Sequence, residues 1–100
     1  MTEKRQSLST EALCEAAACL RIMAHPVRLK IVDLLMQNEL AVHEIADLCG
    51  VKPNQICEHL RLMQTAGLLT SRRAGRTVYY AITSPRLPSL MECIRKNCPR

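Results

Sequence analysis

The chain has 100 residues, 14 Lys+Arg against 9 Asp+Glu, and neither Phe nor Trp. This composition predicts one small domain over residues 1–100 with a core of Leu, Ile, Val, Met, Ala and Cys. No apolar run is long enough to cross a bilayer, and the charged N-terminal stretch does not read as a cleavable leader; a soluble cytoplasmic protein with no membrane partner is expected. In that compartment the six cysteines are expected as thiols, not disulfides.

The charge is unevenly placed. Residues 1–50 hold five Lys+Arg and seven Asp+Glu, a balance of −2, while residues 51–100 hold nine and two, a balance of +7. A basic second half suits a surface that faces phosphates.

In chain order, residues 1–8 are polar and expected to fray, as are 98–100. Ser9 or Thr10 can cap a first helix in which Leu13, Ala17, Leu20 and Ala24 repeat at helical spacing. It should end near His25-Pro26, because the residue before a proline avoids helical angles. A second helix follows, with Val27, Ile31, Leu34 and Leu35 facing inward and Arg28, Lys30 and Asp33 outward. The third is short, with Val42, Ile45, Ala46 and Leu48 as its apolar side, and stops at Gly50. Ala41 is a poor N-cap there, and Glu44 in the first turn partly compensates. Pro53 opens a fourth helix in which Ile56, Leu60 and Met63 fall at i, i+4 and i+7. Two helices joined by a tight glycine turn, the second polar and cationic outside, read as a helix-turn-helix.

After Ala66-Gly67, Thr70, Thr77, Val78, Tyr79, Tyr80 and Ile82 predict a β-hairpin around Ala74-Gly75, with Arg72, Arg73 and Arg76 at its tip. Ser84-Pro85 breaks it, and a last helix is expected from about Pro88 to Asn97, with Leu90, Met91 and Ile94 on its apolar side. The predicted fold is mainly α with one small β-hairpin, in the order α-α-α-α-β-β-α: a winged helix-turn-helix.

That architecture points to duplex DNA. Lys52, Asn54, Gln55, Glu58, His59 and Arg61 lie at the start or on the outer face of the fourth helix. Asn and Gln can pair with adenine edges, Lys and Arg with guanine or phosphate, and Glu58 can accept from a cytosine amino group. His59 adjoins the buried Leu60 and is either a packing residue tied by one hydrogen bond or a DNA contact. Arg72, Arg73 and Arg76 are placed for phosphate or minor-groove contacts. A homodimer would double the few base pairs that one helix reads, with half-sites about 34 Å apart, and Leu13, Ala17 and Leu20 offer more apolar stripe than a small monomer covers. No Gly-rich phosphate loop, metal-hydrolase motif or nucleophile–base pair suggests an enzyme.

The motif LRIMAHPVRLKIVDLL, followed by ELAVHEIADLCGV, ICEHLRLMQTAGLL and RRAGRTVYYAI, resembles the ArsR/SmtB family of bacterial repressors over residues 13 to 83. The resemblance implies a homodimer built on the first and last helices. It also implies an operator-bound repressor released by an inducer, often a metal or a thiol-reactive species. Where family members carry E-L-C-V-C-D-L, this chain has Glu39-Leu40-Ala41-Val42-His43-Glu44-Ile45 and lacks both thiols. The acid and histidine pattern that holds zinc on the family's last helix is absent as well.

Cysteines at the two ends remain as sensing candidates. Cys14 and Cys19 lie on the first helix and Cys93 and Cys98 at the last, each pair about 140° apart around its helix. Chelation within one helix is poor. Across helices they can bind a thiophilic metal ion or close a redox disulfide. Cys57 on the recognition helix is a separate candidate, with Cys49 nearby. The alternatives are purely structural cysteines with no inducer site, or a winged helix used for protein contacts.

Overall fold

The computed structural model describes residues 6–98, which run α1 (Thr10–Met23), α2 (Pro26–Leu35), β1 (Leu40–Ala41), α3 (Val42–Cys49), α4 (Pro53–Thr65), β2 (Leu69–Ala74), β3 (Thr77–Ile82) and α5 (Arg86–Asn97). The fraying expected at residues 1–5 and 99–100 lies outside the described residues. Residues 6–8 are exposed and irregular, and Cys98 follows the last helical turn.

Local chemistry sets most boundaries. Ser9 caps α1, its hydroxyl accepting from the Ala12 N–H at 3.0 Å. The helix closes at Met23, two residues before the expected stop, because His25 is taken up as the N-cap of α2. Its Nδ1 accepts from the Val27 N–H at 3.1 Å. Ala41 has no side-chain acceptor for α3, and Glu44 makes a hydrogen bond beyond the expected dipole effect: its carboxylate accepts from the Ala41 N–H at 2.8 Å. The turn into α4 has Gly50 at φ 68, with the Gly50 N–H on the Asp47 carbonyl and the Val51 N–H on the Ala46 carbonyl. That paired reversal needs a left-handed residue, which glycine adopts without a Cβ penalty.

The helices enclose one core in which Ile31, Val32, Ile45, Ile56, Leu60, Met63 and Leu87 have no exposed surface. Met23 and Met91 are buried in the same core, which a flexible thioether side chain suits. Several inward assignments shift. On α2, Val32 is buried and Leu34 only half-buried, because the helix sits between α1, α3 and α5 and buries adjacent positions. On α3, the core takes Val42, Ile45, Ala46 and Cys49 at i, i+3, i+4 and i+7, which leaves Leu48 outward at 55% exposure.

α1 carries two stripes one residue apart. Ala12, Ala16, Cys19 and Met23 face the core, whereas the predicted repeat of Leu13, Ala17, Leu20 and Ala24 is exposed, with Leu13 at 52% and Leu20 at 53%. A rotation of 100° per residue separates the two faces. α5 starts at Arg86, two residues earlier than expected, and buries Leu87 and Met91 while Leu90 and Ile94 are half-buried.

The sheet has three strands, not two. β1 pairs with β3 (Leu40 with Tyr80, Ala41 with Tyr79), and β3 pairs with β2 from Leu69–Ile82 to Ala74–Thr77, all antiparallel. Two residues are too few to show strand periodicity, so β1 exists only through its partner.

Because Leu60 is fully buried on the helix that the core must hold in place, Leu60→Ala should lower unfolding stability by about 2–5 kcal/mol in denaturant titration. An unfolding midpoint equal to wild type would contradict its place in the core.

Candidate nucleic-acid interface

α4 divides cleanly into two faces. Ile56, Leu60 and Met63 are fully buried, and Asn54, Gln55, Glu58 and Arg61 on the other side are exposed, as is Lys52 at the N-cap. The Lys52 carbonyl accepts from the Gln55 and Ile56 N–H groups, and since Pro53 has no N–H, only the Asn54 amide is left directed out of the helix end. Among the described residues, Lys52, Arg61, Arg73 and Arg76 form no ion pair.

His59 is half-buried beside this face, with its Nδ1 accepting from Arg28 Nε at 3.1 Å. The ring thus has the one hydrogen bond expected of a packing residue, and its half-burial leaves an edge beside the exposed face of α4. Burial lowers its pKa below the ordinary histidine value, the Arg28 and His25 charges push the same way, and Glu58 opposes them.

The wing arginines do not act as one group. Gly75 (φ 66) and Arg76 form a two-residue turn, so only Arg76 is at the tip, while Arg72 and Arg73 lie within β2. Alternation then sends them to opposite faces. Arg73 shares a face with Leu69 and Ser71, and Ser71 accepts from the Gln64 amide of α4 at 3.1 Å. Arg72 lies on the other face, 2.7 Å from the Glu39 carboxylate, with its guanidinium 5.0 Å from the centre of the Tyr79 ring.

Glu39 and Arg28 are the two partners that sequence reasoning missed. Each contact spans more than thirty residues, and the one available signal was an acid directly ahead of a strand-forming pair.

The cysteines separate by exposure. Cys14, Cys93 and Cys98 are exposed, Cys49 and Cys57 half-buried, and Cys19 is buried at 8%; all six are free thiols. Burial raises the Cys49 pKa, with Lys30 pulling it back. Cys93 shares a shallow groove with Glu92 and Lys96 on α5. Within one chain, Glu15 reaches Arg86 at the start of α5, but the half of α5 that carries Cys93 is tied to α2 by the Asp33–Arg95 pair at 3.2 Å. Among the described residues, no three His, Cys, Asp or Glu side chains converge to hold a metal ion.

Residues 23–72 match the family model described as a helix-turn-helix domain. The transcriptional repressor SmtB of Mycobacterium tuberculosis is 35% identical over 81 residues, which is 81% of this chain and 60% of the repressor's length. The structure of HlyU from Vibrio cholerae superposes with a TM-score of 0.85 at 25% identity, covering 92% of this chain and 100% of that one. The homodimeric winged helix-turn-helix DNA-binding domain of Mb0332 from Mycobacterium bovis gives a TM-score of 0.77 at 32% identity, covering 91% and 85%.

Proposed function

Because this chain belongs to the ArsR/SmtB family of winged helix-turn-helix transcriptional regulators, we propose that it is a sequence-specific operator-binding repressor, acting as a homodimer. The observation that carries the reading is the exposed face of α4, whose cations have no acidic partner among the described residues, beside the exposed Arg73 and Arg76. Asn54 and Gln55 address adenine edges, Lys52 and Arg61 guanine or phosphate, and Glu58 a cytosine amino group. Arg73 and Arg76 contact phosphate or the minor groove. Arg72, already paired with Glu39, serves mainly to fix the wing against the start of β1.

Dimerisation is supported by the exposed stripe of Leu13, Ala17 and Leu20 and by the homodimeric Mb0332 domain. We place the protein in the cytoplasm as a single domain over residues 1–100, which agrees with its free thiols; no described helix is long and apolar enough to cross a membrane. No catalytic step is proposed.

The test uses duplexes selected by the protein from a random library. Gln55→Ala should relax preference at one base position by about 1–3 kcal/mol. Arg73→Ala and Arg76→Ala should weaken every duplex alike, each reducing the salt slope by about one unit. Preferences and slopes identical to wild type in all three variants would contradict the reading.

Release by a thiol-reactive compound or soft metal is the regulatory part of the proposal, supported by the exposure of Cys14 on α1, Cys93 on α5 and Cys98 just past its end. Changing the packing of the end helices alters the spacing of two α4 copies, and a coupling of about 1–3 kcal/mol suffices to empty an operator. A variant with Cys14, Cys19, Cys93 and Cys98 all changed to Ser should bind its duplex when reduced and stay bound on adding oxidant or thiophilic metal. Retained release would move the role to Cys49 and Cys57.

A further inference from the structure

Apolar packing holds one side of α4, and a polar strut holds its edge. Arg28 on α2 donates from Nε to His59 Nδ1 on α4 and from Nη1 to the Ile22 carbonyl in the last turn of α1, both at 3.1 Å. One planar guanidinium therefore joins three helices, which the point charge of a lysine cannot reproduce. The His25 ring stands edge-on to His59 with centroids 4.7 Å apart, and its own Nδ1 is committed to the Val27 N–H.

In both rings Nδ1 acts as an acceptor, so in this arrangement neither Nδ1 carries a proton. Arginine does not give up its proton at cellular pH. Protonating His59 would set donor against donor at the 3.1 Å contact.

We propose that Arg28 and His59 are a positioning pair that seats the recognition helix against α1 and α2, and that acid releases it. The proposal rests on the DNA-reading role of α4 given above. The same guanidinium touches the end of the helix with the exposed leucines and the helix with the base-reading face, so it also links subunit contact to DNA contact.

The charged groups that face His59 are Arg28 from α2, His25 from the α2 N-cap and Glu58 on α4 itself. The first two disfavour its protonation and the third favours it. Burial adds to the first two, and the net displacement is downward. Stability from the neutral ring is therefore complete above the ordinary value of 6.5 and is lost as pH falls through the lower folded-state value.

Duplex binding and thermal melting, measured between about pH 5.5 and 8, test the pair. Asn Oδ1 sits at the same bonded distance from Cα as His Nδ1 and accepts without titrating, and the two residues have similar helix propensity. His59→Asn should therefore bind within about threefold of wild type at neutral pH and lose most of the acid-induced drop in both affinity and melting temperature. His59→Leu and Arg28→Lys should weaken binding about tenfold at neutral pH, the scale of one lost hydrogen bond to a charged group. His43→Gln should keep the wild-type pH profile. A His59→Asn variant that titrates like wild type, or a His59→Leu variant that binds like wild type, overturns the pair. If wild type shows no duplex preference, the proposed function fails instead, and the melting curves still decide whether protonating His59 loosens α4.

Discussion

The structure depends on one constraint: three side chains on α4, Ile56, Leu60 and Met63, must all be removed from water. Burying each is worth about 1.5–3 kcal/mol, so no other rotation of the helix competes. Once that stripe is seated, the helical period forces Asn54, Gln55, Glu58 and Arg61 outward. The exposed polar face of α4 is therefore a consequence of packing. The Gly50 reversal then delivers α4 to the core of α3, and the bond from Gln64 to Ser71 brings the wing up beside it.

Charge is distributed by the same logic. A two-residue hairpin turn leaves strict alternation along β2, so neighbouring arginines cannot serve one surface. Arg72 is drawn to Glu39 and Tyr79 on the far face of the sheet. Such an exposed pair contributes at most about 1 kcal/mol to stability, but it fixes where the wing lies. Arg73 and Arg76 form no ion pair among the described residues, and the basic character of residues 51–100 is left exposed there.

The elements readable in the sequence were those written locally. The i, i+4, i+7 stripe of α4, the glycine after α3 and the strand-formers around Gly75 each lie within a dozen residues, and all three are found where their spacing put them. Pairwise geometry was not readable. β1 is two residues long and visible only against Tyr79 and Tyr80, and Arg28–His59 and Glu39–Arg72 join positions 31 and 33 residues apart. α1 shows a subtler limit. Its leucine repeat announced a helix, but the core took the neighbouring stripe of Ala12, Ala16, Cys19 and Met23. Here the larger side chains, Leu13 and Leu20, lie on the face that stays exposed.

Those exposed leucines connect the fold to its proposed work, since a helix reading a few base pairs gains specificity when a second copy is held at a fixed spacing. The most direct test is binding to the selected duplex compared with the same duplex carrying five extra base pairs at its centre. Half a helical turn rotates one half-site to the opposite side of the DNA. Affinity for the lengthened duplex should fall to the level of a single half-site. Equal affinity for the two duplexes would contradict a dimer that presents two α4 helices to one face of the DNA.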